Sequence, residues 1–167
     1  DFLDDDANPN DETGHGTHIS GIVGARGNNG IGTTGVGWNI KVLPLKVGDN
    51  TGLSSSAIAE ALRYVSSLKQ KGVNVVATNN SYGSSSPNNV ARAAIQVHED
   101  IGIVFVAAAG NAGEDIDAVS SSQYPAGYPE TNIISVANST QGDELSFGSN
   151  YGIESVDIAA PGQEVYS

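Results

Sequence analysis

The sequence predicts an α/β fold of three layers, with helices on either side of a mostly parallel sheet. Three observations point there. Strand-like and helix-like runs alternate along the chain. The strand-like runs are apolar nearly throughout, as expected of strands buried on both faces. Glycine clusters between the runs mark tight connections. Such alternation places parallel strands at the centre and crossover helices outside them.

The elements follow in order. Residues 14–25, GHGTHISGIVGA, place His15 at the opening of a short helix whose apolar face is Ile19, Ile22 and Val23. Residues 39–47, NIKVLPLKV, read as a buried strand. In the next stretch Ile58, Ala61, Leu62, Val65 and Leu68 share one helical face. Ser54, Ser55 and Ser56 offer N-caps, Lys69 and Lys71 suit the negative end, and Gly72 stops the helix. Residues 73–78 form the next strand. Residues 87–100 form a second helix, opened by Pro87 and closed by Gly102. His98 lies in a polar stretch of that helix and is expected at the surface. Residues 103–109, IVFVAAA, are another buried strand, with shorter strands at 132–136 and 156–159. No internal repeat or second domain is visible.

Composition narrows the function. The chain of 167 residues is 38% apolar and 16% charged, which suits one globular domain. It contains no Cys, excluding disulfides, thiol nucleophiles and cysteine-bound metals. A net charge of −12, with 7 scattered basic residues, argues against nucleic acid as a partner. No apolar run is long enough to cross a membrane. The chain starts at DFLDDD without Met and stops as an apolar segment begins, so it reads as an excerpt of a longer protein.

In parallel sheets chemistry gathers where loops leave the carboxyl ends of strands. NNSYG at 79–83 and AAAGNAG at 107–113 sit at such ends. His15 could serve as a general base, or could be a capping or buried structural histidine. His18 gives H-x-x-H rather than the metal-binding H-E-x-x-H and reads as structural. The side-chain amide of Asn111 could donate to developing negative charge, or simply serve a turn. Gly30, Gly32 and Gly35 match the dinucleotide pattern G-x-G-x-x-G. They follow a helix and precede a strand, the reverse of the order that pattern requires. Asp1, Asp4, Asp6, Asn8 and Asn10 place oxygen groups at short intervals. Calcium favours such flexible oxygen-rich loops, the alternative being a merely solvated acidic loop.

Several segments together resemble the subtilisin-like serine proteases. HGTHISG from His15 is similar to their histidine motif, and NNSYG to their substrate-binding strand. AAAGNAG is similar to their oxyanion-hole segment. YPAGYP at 124–129 and APG at 160–162 fall in family order and spacing, so the resemblance covers the whole chain. It implies a serine endopeptidase with His15 as general base and then acid, and Asn111 as oxyanion donor. Ser81, Tyr82 and Gly83 would pair with the substrate backbone on one side of the first specificity pocket. Ala108, Ala109 and Gly110 would form the opposite wall. These small, uncharged walls predict an open slot for large apolar side chains, with Glu114 and Asp115 near its rim.

The resemblance also marks what is absent. The family's aspartate precedes the histidine motif, and its serine lies in a Gly-Thr-Ser context beyond the Ala-Pro-Gly segment. No such serine occurs here, so residues 1–167 read as a partial peptidase domain, inactive by itself. Thermitase-like members use a similar acidic run before the histidine as a calcium loop, which implies Asp1, Asp4, Asp6, Asn8 and Asn10 as ligands. The family's tighter loop implies Gly27, Asn29, Ile31 and Thr33. Polypeptide substrates, an inhibitory propeptide, a monomeric state and an extracellular site are implied in the same way. The rival reading is a non-catalytic, protease-like module that binds calcium or peptides.

Overall fold

A computed structural model describes residues 1–167. The chain divides into two compact units, Asp1–Ala61 with Glu164–Ser167, and Leu62–Gln163.

The first unit holds helix α1, His15–Gly24, and a small antiparallel hairpin of β1, Gly48–Asp49, and β2, Gly52–Leu53. The last carbonyls of a helix lack partners of their own. Here the chain turns back to supply them. Val36 N donates to Ile22 O, Gly37 N to Val23 O, and Gly35 N to Ala25 O, at 2.8–2.9 Å. Gly35 lies so close to the backbone of Ala25 and Gly24 that a Cβ would collide with it. The glycine pattern at 30–35 therefore closes the end of a helix and opens none.

Helix α2, Ser55–Gln70, begins in the first unit and ends in the second. Ser54 Oγ accepts from Ala57 N, the expected N-cap. Ala57, Ala61, Leu62 and Val65 are buried, whereas Ile58 and Leu68 are only half-buried. Gly72, at φ +90°, ends the element, and Lys69 Nζ reaches forward to donate to Val75 O.

The second unit is built on a four-stranded parallel sheet in the order β3-β4-β5-β6. Its strands are β3, Ala77–Asn80; β4, Val104–Ala108; β5, Ile133–Ser139; and β6, Ile158–Pro161. Helix α3, Asn89–Asp100, crosses over between β3 and β4. Asn88 caps it by accepting from Val90 N and Ala91 N, so Pro87 precedes the cap and lies outside the helix. Phe105 and Ala107 of β4 are buried, and β5 buries Ile133, Ser135, Ala137 and Ser139 in strict alternation.

Three expectations are corrected. Residues 39–47 form no strand, and Ile40, Val42 and Leu43 are 49%, 44% and 53% exposed. A strand exists only through a ladder. This run joins none, its backbone contacts including only Phe2 N to Lys46 O and Ser54 N to Val47 O. The run at 73–78 becomes a strand only from Ala77, with Val73 and Val76 exposed. His98, expected at the surface, is fully buried, with Nε2 2.9 Å from Leu62 O. It repeats the helical spacing of Ala91, Ala94 and Ile95, which carries it inside with them.

Candidate active site

In the second unit the carboxyl ends of β3 and β4 lie side by side, with Asn80 paired to Ala107. Buried Asn80 fixes the end of β3. Its Nδ2 donates to Thr78 Oγ1 and Val106 O, and its Oδ1 accepts from the Tyr82 hydroxyl at 3.0 Å. Burial pushes the Tyr82 phenol above its ordinary pKa, keeping it a neutral donor. Beyond Asn80, the backbone of Ser81, Tyr82 and Gly83 joins no ladder. Those N–H and C=O groups are free to pair with another extended chain.

Across from this segment run Ala108, Ala109 and Gly110, with Ala109 fully buried and Gly110 at φ +107°. Asn111 follows, exposed, its side-chain amide bonded to nothing in the protein. The slot between the walls is not as open as their small residues predict. The Gln123 carboxamide packs against both Gly83 and Gly110, where added Cβ atoms would meet it. Gln123 escaped sequence reading because it lies far along the chain, just before the YPAGYP motif.

In the first unit His15 opens α1 directly after Gly14, which takes the left-handed conformation at φ +80°. Its ring is exposed and makes no hydrogen bond or ion pair within the chain. The turn that carries it is held by Asp11. Asp11 Oδ1 accepts from Thr13 N, Thr13 Oγ1 and Gly14 N, and Oδ2 from Thr17 N and Thr17 Oγ1, at 2.7–3.0 Å. These bonds, the Thr17 backbone N–H foremost, hold the Asp11 carboxyl far below the usual carboxylate range. Sequence reading missed Asp11, although an Asp placed before a helix start is a common capping signal. His18, read as structural, has Nε2 3.1 Å from Val165 O.

The acidic loop has a cation of its own. Lys46 Nζ lies 2.8 Å from Asp4 Oδ2, 3.0 Å from Glu12 Oε1 and 3.6 Å from Asp1 Oδ2. Hydrogen bonds donated to Asp4 and Glu12 raise the Lys46 pKa above its ordinary value. Asp1 Oδ1 accepts from Leu3 N and Asp4 N, while Asp1 Oδ2 is buried without a hydrogen-bond partner. Asp6 Oδ1 accepts from Asn8 N. No three acidic or histidine side chains converge closely enough to hold a metal by themselves. In the other loop, Asn29 Oδ1 accepts from Ile31 N, and Gly27 packs against Trp38 and Thr34.

Comparison with known proteins shows the family of the chain. The profile of the subtilase family, peptidase S8, matches residues 1–167. Thermitase of Thermoactinomyces vulgaris is 38% identical over all of this chain, which covers 56% of that protein. A thermophilic serine proteinase of Bacillus sp. (strain AK1) is 36% identical, again over all of this chain, which covers 39% of it. The chain thus spans about half the length of the curated relatives it matches. Among solved structures, a cold-adapted subtilisin-like serine proteinase aligns with a TM-score of 0.81 at 27% identity, over 99% of this chain and 55% of that one. Sphericase aligns with a TM-score of 0.79 at 30% identity, over 94% and 55%.

Proposed function

The chain belongs to the subtilase family, and from that premise we propose that it carries the general base and the oxyanion donor of a serine endopeptidase. In the complete protein, His15 takes the proton of the attacking serine hydroxyl and returns it to the leaving amine. The Asn111 amide donates to the oxygen that becomes negative in the tetrahedral intermediate. That donor matters because it meets charge that develops only in the transition state. The substrate lies extended along Ser81, Tyr82 and Gly83.

The observation that carries this reading is the pairing at one sheet end of the unladdered 81–83 segment with the unbonded amide of Asn111. One group can add a strand of substrate, and the other can meet its reacting carbonyl. The pocket between the walls carries no charge and is bounded by the Gln123 amide, which favours apolar side chains of moderate reach. The same reading makes the protein extracellular and monomeric, acting on polypeptides and restrained by a propeptide.

Calcium belongs to this reading at Asp1, Asp4, Asp6, Asn8 and Asn10. Asp1 Oδ2, buried and without a hydrogen bond although ion-paired to Lys46, supports it, and the donors are the hard oxygens calcium takes. Lys46 must give up Asp4 for the site to form. Gly27, Asn29, Ile31 and Thr33 form a second, weaker candidate loop, in which Asn29 Oδ1 also accepts from Ile31 N.

The test is turnover of Asn111→Ala in the complete protein, on peptides that vary the residue before the cleaved bond. Turnover should fall about 10²–10³-fold with KM little changed, the scale already established for the oxyanion asparagine of subtilisin itself. Wild type should prefer Leu or Phe over Lys or Arg. Undiminished turnover in Asn111→Ala would remove the assigned role.

A further inference from the structure

Asn150 belongs to none of the motifs, yet it is 2% exposed and fully engaged. Its Oδ1 accepts from Ala112 N at 2.9 Å and from Glu114 N at 3.1 Å. Its Nδ2 donates to Ala109 O at 2.9 Å, and its own backbone N–H donates to Gly110 O at 2.9 Å. One residue thus grips positions 109, 110, 112 and 114, on both sides of Asn111, and leaves Asn111 itself free.

The carboxamide meets two demands at once. Two backbone N–H groups need an acceptor and one backbone carbonyl needs a donor, which its oxygen and its NH2 supply separately. The neighbours extend the clamp. Gly113 N donates to Gly148 O, Tyr151 N to Glu114 O, and Ile116 N to Tyr151 O. Gly110 must be glycine twice over, for its φ of +107° and because a Cβ would collide with Asn150 Nδ2. Asn150 is itself anchored to the sheet, since Ser149 Oγ accepts from Asn138 N of β5 and donates to Asn150 O.

We propose that Asn150 is the positioning residue of the oxyanion site, fixing the 109–114 loop so that the Asn111 amide stands where charge develops. The inference rests on the role assigned above to Asn111. A donor displaced by about 1 Å can lose about 10²-fold in rate, so a loop holding the donor governs turnover more than binding.

The experiment is a double-mutant cycle in the complete protein, with kcat and KM measured for wild type, Asn111→Ala, Asn150→Ala and the double variant. Melting temperatures establish that each is folded. Asn150→Asp, which keeps both acceptor bonds and loses the donor to Ala109 O, serves if Asn150→Ala does not fold. We expect Asn150→Ala to lower kcat at least about tenfold with KM nearly constant. In the Asn111→Ala background the same change should cost less than about threefold, because the donor it positions is gone. If Asn111→Ala is impaired but the Asn150 change costs the same factor in both backgrounds, or none in either, the positioning role is overturned. It is also overturned if neither Asn150 variant folds, since the residue then serves the fold as a whole. If Asn111→Ala alone has full turnover, the reading beneath the proposal fails instead, and the cycle shows which of the two fell.

Discussion

At the scale of single residues, the buried imidazole of His98 makes a prediction independent of catalysis. Nε2 lies 2.9 Å from Leu62 O, and Nδ1 is buried without a partner. Burial holds the His98 pKa below its ordinary value, opposed only in part by the bond to Leu62. The unfolded chain protonates near pH 6.5, while the folded one stays neutral to lower pH. Stability is therefore intact above about pH 6.5 and falls as the pH drops below it, because the unfolded state then binds more protons. Melting temperatures from pH 7.5 to 5.5 should show this decline in wild type and a smaller one in His98→Gln. Equal declines would show that His98 does not govern it. The position was legible, since Ala91, Ala94, Ile95 and His98 share one helical face. Reading the polarity of the neighbours in place of that period put the residue at the surface. Asn150 had no such signal, because its partners lie about 40 positions away in sequence.

At the scale of elements, the helices and the central strands were legible from period and caps, whereas residues 39–47 were not. An apolar run looks like a strand whether or not a neighbour pairs with it, and pairing is a property of the fold. The acidic loop shows the same limit. Its carboxylates were visible, but the ammonium that joins them comes from Lys46, more than thirty residues on. That cation sets the terms for calcium, which must outcompete Lys46 for Asp4 and Asp1. A ligand bound only by the folded loop stabilises it by mass action. Melting in calcium should thus exceed melting in chelator for wild type, and the gap should shrink in the Asp4→Asn, Asp6→Asn double variant. No gap in wild type, or an equal gap in the variant, would refute the loop as the site.

At the scale of the whole molecule, the α/β class was legible because strands and helices alternate and the strands at its centre are continuously apolar. The sheet of the second unit is parallel throughout, as predicted. The candidate site was legible in its motifs and illegible in its supports. His15, Asn111 and the pocket walls stood in short, recognisable runs, while Asp11, Gln123 and Asn150 act through contacts that only the folded chain makes. The proposed role of His15, base of an acyl-transfer reaction in the complete subtilase, can be checked by a rapid-mixing assay of the complete protein on an activated ester, comparing wild type with His15→Ala. Wild type should give a burst of the first product, as an acyl-enzyme accumulates. His15→Ala, folded to the same melting temperature, should lose both the burst and turnover by orders of magnitude. A burst of unchanged rate and size in His15→Ala would contradict that role.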